Sequence, residues 1–286
     1  MFVKREDGLG KLFLPFDLWS LLLGGLFTYW SGAEGIMILP AFIGWTLLSF
    51  VVTMAVFIFV LWCISLTVDI DEDPPMEDHP LYRAIVVYGI GLLCRVGRLR
   101  IRCTGTELLP QGRFFLVCNH RSAFDPIATV WALRRTPLAV ITKPENLHIP
   151  IAGPMIYKSN FLPIDREDPR RAMETIRNAV ELLKNDVVSV GIYPEGTRGD
   201  GTELLPFHNG VFKIAQRAGV PLAVATITGT ENARKNLPWR HSDVALHICR
   251  VIPPEELGGS TAEISQLARE IIERDLARSR LTLVEG

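Results

Sequence analysis

Apolar residues follow two patterns along this chain. Residues 35–68 contain no Asp, Glu, Lys, Arg or His, whereas beyond residue 103 short apolar runs alternate with amphipathic stretches. About 20 apolar residues span a bilayer core of roughly 30 Å, so the first pattern predicts a membrane-embedded helix. Residues 18–33 ahead of it are also uncharged but short for a span, and extending the run back through LFLPF takes in Asp17. Trp19, Tyr29, Trp30, Trp45 and Trp62 fall near the ends of these runs, where amphipathic rings favour the interface. A cleaved signal peptide fits poorly, because the second run is too long for its apolar region and no small-residue cleavage site follows. Two crossings joined by SGAEG put both ends of a helical hairpin on one side. Lys4, Arg5 and Lys11 before it, and Arg83, Arg95, Arg98, Arg100 and Arg102 after it, favour the cytoplasm for that side.

The acidic stretch DIDEDPPMEDHP then reads as an exposed linker, its prolines stopping the helix. Residues 81–102, LYRAIVVYGIGLLCRVGRLRIR, mix apolar residues with arginine. They suit either an interfacial helix on anionic headgroups or the ordinary first helix and strand of a soluble domain. The organisation expected is 1–72 as membrane-anchoring helices, 73–103 as linker and basic amphipathic segment, and 104–286 as the catalytic domain.

That third region has the texture of an α/β domain. FFLVC (114–118), LAVIT (138–142), VVSVGIY (187–193), LAVATIT (222–228) and VALHICRVI (244–252) read as strands. Helix-period segments separate them. In DPRRAMETIRNAVELL, Asp168 is placed at the N-cap and Pro169 at the first helical position, with Met173, Ile176, Val180 and Leu183 on one face. Near-continuous apolar strands alternating with helices imply a mostly parallel mixed sheet flanked by helices. In such sheets, sites gather at the carboxyl ends of the strands.

Composition narrows the picture a little further. Thirty basic residues against 31 acidic ones leave no whole-chain excess that would attract nucleic acid. The five cysteines, at 63, 94, 103, 118 and 249, show no CxxC or His pairing, so neither a zinc site nor a disulfide frame is indicated.

Two motifs follow strands and point to one rim. NHRSAFD (119–125) follows FFLVC, and YPEGTRGDG follows VVSVGI. Asp125, before Pro126, suits a helix N-cap, but a cap leaves Asn119 and His120 unexplained. A carboxylate near an imidazole fixes its tautomer and supports its charge, as a general base requires. In the second motif, Glu195, Gly196, Thr197 and Arg198 follow a buried strand; glycine permits close backbone approach, and the arginine fork suits phosphate. A polar turn with a surface arginine also accounts for it. Lys143 in TKPEN and Arg166 in LPIDRED would complete an anion site beside the base.

NHRSAFD resembles the N-H-x-x-x-x-D box of the glycerolipid acyltransferases, the family of 1-acyl-glycerol-3-phosphate and related lysophospholipid acyltransferases. YPEGTR is similar to its F-P-E-G-T-R box, with Tyr193 for Phe. ITKPENLHIPIAG resembles the segment carrying the family's lysine, here Lys143. NFLPIDR matches the G-x-x-F-I-x-R box, keeping Ile164 and Arg166 but with Asn160 for Gly and Pro163 for Phe. GVPLAVATI resembles the V-P-I-V-P-V box with Ala225 for its second proline. The likeness runs from about residue 105 to 252.

The resemblance implies transfer of a fatty acyl group from acyl-CoA or acyl-carrier protein to a lysophospholipid hydroxyl. His120 would be the base and Asp125 its orienting partner, while Lys143, Arg166, Glu195, Gly196, Thr197 and Arg198 would form the substrate site. No cofactor or metal is implied. Three cations fit a phosphate monoester, which favours 1-acyl-glycerol 3-phosphate; glycerol 3-phosphate, a zwitterionic lysophospholipid or a lyso-aminolipid remain open as acceptors. The expected partners are a phospholipid membrane, the lysophospholipid and the acyl donor, with no nucleic acid. The expected location is the plasma or inner membrane, with the catalytic domain on the cytoplasmic side. A hydrolase would need an activated nucleophile, and no G-x-S-x-G elbow is present. A non-catalytic lipid-binding protein would have no use for the His120–Asp125 pair.

Overall fold

The computed structural model of the chain describes residues 14–71, 74–199 and 203–284, with side chains described up to residue 279. Lys4, Arg5 and Lys11, Glu72 and Asp73 of the linker, and Asp200 and Gly201 of the second motif lie outside the described residues. The chain divides into two compact units, one spanning residues 6–69 and the other running from residue 70 onward.

The first unit is a pair of packed helices, α1 (Leu14–Trp30) and α2 (Ile38–Ser65). Asp17 falls in the first turn of α1. The helices meet closely at Gly24, where an added Cβ would lie 2.0 Å from the Thr46 hydroxyl. Ring contacts between Phe16 and Phe57 and between Phe27 and Trp45 set the two antiparallel. At 1.5 Å per residue the 28 residues of α2 extend about 42 Å. Together with the preceding 3-10 turn, α2 is long and apolar enough to cross a membrane, and 6% of its most apolar window is buried.

The second unit is built on a seven-stranded sheet. After α3 (Pro80–Val96) come β1 (Leu99–Thr104), β2 (Phe115–Cys118), α4 (Asp125–Ala132), β3 (Leu138–Thr142), α5 (Ala152–Lys158), β4 (Leu162–Pro163), α6 (Pro169–Lys184) and β5 (Ser189–Ile192). Next are α7 (Lys213–Ala218), β6 (Leu222–Thr228), α8 (Ala233–Asn236), β7 (Ser242–Ile252) and α9 (Thr261–Val284). The strand order is β1-β7-β6-β2-β5-β3-β4. Every neighbouring pair is parallel except β6 and β7. Five strands therefore end at one rim, and β7 and β1 begin there.

Strands β2, β3 and β5 are buried almost throughout, as their continuous apolar runs require. α6 begins as its sequence predicts: the Asp168 carboxylate accepts from the Arg170 and Arg171 N–H groups, with Pro169 first in the helix. Ile176, Val180 and Leu183 face the core, whereas Met173 is 45% exposed, a correction to the expected face. Met173 sits in the second turn, ahead of the part of α6 that the sheet covers.

Two departures from the family boxes have physical explanations. Asn160, where the family has Gly, adopts a positive φ of 64°, a region asparagine tolerates better than most residues. Pro163 lies in β4, which pairs only with β3 at the sheet edge, so its missing N–H breaks no ladder between strands.

Candidate active site

The site begins where β2 stops. Asn119 is fully buried; its Nδ2 donates to the Ile227 carbonyl at 2.9 Å, and its Oδ1 accepts from the Ile227 N–H at 2.8 Å. One side chain thus closes the seam between the ends of β2 and β6.

His120 is next, its ring stacked on Tyr193 with centroids 4.6 Å apart. Its Nδ1 lies 2.8 Å from Oδ2 of Asp125, which is fully buried. The same oxygen accepts the N–H groups of Arg121 and Ser122 at 2.6 and 2.8 Å, and Oδ1 accepts the Thr230 hydroxyl. Helix α4 starts at Asp125 itself, with Phe124 at the N-cap and no side-chain capping bond. This corrects the capping reading of Asp125: its carboxylate turns back into the loop, where two N–H groups and the imidazole await it. With Nδ1 turned to the Asp125 carboxylate, Nε2 is the ring nitrogen left to take a proton.

A cavity of about 500 Å³ opens beside the imidazole. His120, Lys143, Arg166, Thr197, Arg198 and His208 line its polar part, and Ile141, Ile164, Ile176 and Ile192 its apolar part. Lys143 reaches it from the end of β3, Arg166 from the loop after β4, and Thr197 and Arg198 from the loop after β5. Among the described residues, no carboxylate lies within salt-bridge distance of Lys143, Arg166 or Arg198. Burial lowers the Arg166 guanidinium from its ordinary value, against the pull of Glu145, yet an arginine remains charged under any ordinary condition. Gly196 holds φ at +72°, and a Cβ there would come within 2.7 Å of the His208 ring and 3.7 Å of Arg166 Cζ. Its bare backbone lets these two side chains converge on the cavity.

Glu195 is not among the cavity-lining residues. It is buried, and its two oxygens accept the N–H groups of His120 and Leu205 at 2.6 and 2.9 Å. Burial raises its pKa above the usual carboxylate value, opposed by those two hydrogen bonds. It thereby ties the His120 backbone to the loop that carries His208. Tyr193, where the family has Phe, keeps its hydroxyl satisfied by donating to Thr129 Oγ1 at 3.0 Å, and burial raises its pKa, so it stays protonated.

Sequence patterns single out neither Thr230 nor His208. Thr230 has one available signal, its place directly after a strand that ends at the same rim; His208 has none. Away from the cavity, His247, Cys249 and Asp275 bring their donor atoms within 4.8 Å of one another. Thr104 and Thr226 already hydrogen-bond the imidazole and the carboxylate at 2.8 and 2.5 Å. The spacing of cysteines alone gives no sign of this meeting.

The site thus sets a histidine paired with a buried aspartate beside a cavity lined with cations and isoleucines, an arrangement suited to general-base chemistry on a substrate that is both anionic and apolar. The pattern of the acyltransferase family matches residues 100–228. The chain is 29% identical over 204 residues, 70% of its length and 82% of the other, to the 1-acyl-sn-glycerol-3-phosphate acyltransferase of Escherichia coli (strain K12). It is 31% identical over 154 residues to the enzyme so named from Cocos nucifera, covering 52% of this chain and 48% of that one. Its fold resembles the crystal structure of the 1-acyl-sn-glycerophosphate (LPA) acyltransferase PlsC from Thermotoga maritima, with a TM-score of 0.56 at 20% identity over 93% of this chain and 95% of that one. Residues 100–228 thus form an acyltransferase domain, and the likeness to these enzymes supports a glycerolipid acyltransferase with O-acyltransferase activity.

Proposed function

We propose that the chain transfers a fatty acyl group from an acyl thioester to the free hydroxyl of 1-acyl-glycerol 3-phosphate, giving phosphatidic acid. The observation that carries this reading is the placement of Lys143, Arg166 and Arg198 around the cavity into which His120 faces. The acceptor phosphate would sit among the three cations, fixing its hydroxyl relative to Nε2 of His120. As the hydroxyl oxygen attacks the thioester carbonyl carbon, Nε2 takes its proton and Asp125 stabilises the imidazolium. When the tetrahedral intermediate collapses, the carbon–sulfur bond breaks and the proton passes to the departing thiolate. General-base help of this kind contributes roughly 10²–10⁴-fold.

Attachment through residues 6–69 suits these substrates. Lysolipid and product reside in the bilayer, and drawing an acyl chain through water costs about 0.8 kcal/mol per CH₂. The catalytic domain would stand on the cytoplasmic side, where thioester donors arrive. The test is a panel of lysophosphatidic acid, glycerol 3-phosphate, zwitterionic lysophospholipids and lyso-aminolipids offered with acyl-CoA or acyl-carrier protein, with products identified by mass spectrometry. Phosphatidic acid as the dominant product supports the reading. Preferential acylation of another acceptor, or acceptor-independent thioester hydrolysis, overturns it.

A further inference from the structure

The rim that carries His120 also carries a surface that acyl transfer itself leaves unused. Because β7 runs antiparallel to β6, and β1 parallel to β7, both begin where β2, β3, β5 and β6 end. The segments leading into them, the end of α3 and the loop at residues 237–241, therefore lie at the catalytic edge. Arg98 reaches Nε2 of His241 at 2.9 Å, and the Ser242 N–H donates to the Arg98 carbonyl at 3.1 Å, so the two segments form one surface. It adjoins the NHRSAFD box directly: a Cβ added at Gly97 would come within 3.3 Å of the Phe124 ring.

This surface is oily and basic at once. Leu93 and Val96, on one face of α3, are 49% and 63% exposed, and Trp239 is 85% exposed. Arg234, Lys235 and Arg240, within five residues of the tryptophan in the chain, are exposed as well. The acidic residues nearby in the chain are Glu231 and Asp243, fewer than the cations, and Asp243 is in register with Arg100 of β1. Exposed tryptophan flanked by cations is the chemistry of the headgroup boundary, where the ring sits among carbonyls and the cations meet anionic lipid.

We infer that Leu93, Val96 and Trp239, framed by Arg234, Lys235 and Arg240, form a docking surface for an anionic phospholipid bilayer. Docking there turns the His120 rim toward the membrane, so a lysolipid reaches the cavity without leaving the interface; this purpose rests on the lysophospholipid reading, while the docking itself does not. None of its residues belongs to the apolar helices of the first unit.

Two measurements on the full chain, reconstituted in vesicles of phosphatidylcholine with or without phosphatidylglycerol, test it. The fluorescence of Trp239, taken as the difference between the native protein and Trp239→Phe, should be blue-shifted and quenched by lipids brominated near the headgroup. In the second, the triple variant Arg234→Gln, Lys235→Gln and Arg240→Gln should raise KM for bilayer-presented lysophosphatidic acid several-fold in the anionic vesicles. Its rate with the same acceptor in detergent micelles should stay native, which shows that folding and chemistry are intact. Quenching of Trp239 by aqueous acrylamide instead of brominated lipid overturns the proposal, as does an unchanged KM in anionic vesicles. If lysophosphatidic acid proves not to be a substrate, the quenching result still decides the docking.

Discussion

Asp125 Oδ2 sits 2.8 Å from His120 Nδ1 while the loop's own N–H groups hold it from the other side. The carboxylate is thus immobilised before it orients the ring, and the pair is preorganised for proton transfer. His120→Ala should abolish acyl transfer in protein whose circular dichroism and detergent-solubilised melting are native. Asp125→Asn can keep its carbonyl toward the loop and its amide toward Thr230, so it should fold while kcat falls on the order of 10²–10⁴-fold. Near-native turnover of the His120→Ala variant would remove the mechanism.

The cation cluster makes a separate prediction, read in initial-rate kinetics. Losing one hydrogen bond to a charged group costs about 1.5–3 kcal/mol. Lys143→Ala, Arg166→Ala and Arg198→Ala should therefore each lower kcat/KM for a phosphate-bearing acceptor roughly 10- to 100-fold, with the donor KM little changed. Arg198→Lys should recover only part of the loss if the contact is bidentate. Unchanged acceptor kinetics in all three would point to a neutral or zwitterionic acceptor.

Gly196 should tolerate no side chain. Its φ of +72° and the 2.7 Å approach of an added Cβ to His208 mean that Gly196→Ala strains the backbone by about 1–2 kcal/mol and displaces a cavity wall. A lowered melting temperature together with weaker acceptor use is expected. Gly210→Ala is the control, since nothing lies within 4 Å of its added Cβ, and it should melt like the native protein.

Glu195 gives the fold a pH dependence of definite sign. Burial raises its folded-state pKa above the unfolded value, so the folded state holds the extra proton and stability from this group falls as pH rises through that interval. Glu195→Gln cannot titrate, although its amide must face one of the two N–H groups the carboxylate accepted. The difference in melting temperature between native and variant protein should therefore narrow as pH rises from about 4.5. A difference that stays flat or widens contradicts the assignment.

For the first unit the question is topological. If both helices cross, Ser31→Cys in a background lacking the native cysteines should react with impermeant thiol reagent only from the side opposite the catalytic domain. Labelling of Ser31→Cys only from the cytoplasm would mean a re-entrant or in-plane anchor.

The legible and illegible parts of this protein differ by how far apart the partners lie in the chain. Strands β2, β3, β5 and β6, the start of α6 and the two rim motifs are local apolar runs, caps and turns. Even β7 is visible as VALHICRVI, but its reversed direction is not, because direction depends on pairing with β6. Asn119, Glu195 and Thr230 find their partners 108, 75 and 105 residues away. Nothing in the neighbourhood of those residues announces such contacts, and so Asp125 resembles a helix cap and Thr230 a loop residue. Tyr193 passes for a variant of phenylalanine unless Thr129 is known to lie against its hydroxyl.

The contact between Thr230 and Asp125 also sets a schedule for the newborn chain. Synthesis proceeds from the N-terminus, and domains fold largely in that order, so α1 and α2 leave the ribosome long before Thr230 is added. Until then Asp125 lacks the hydroxyl on its Oδ1, and Asn119 gains the Ile227 backbone that seats it only three residues earlier. The apolar pair can find its surroundings while the reactive histidine is still unfinished. A nascent chain stopped before residue 230 would carry the apolar helices and both rim motifs yet lack the last hydrogen bond to the Asp125 carboxylate, so the His120–Asp125 pair is completed late in translation.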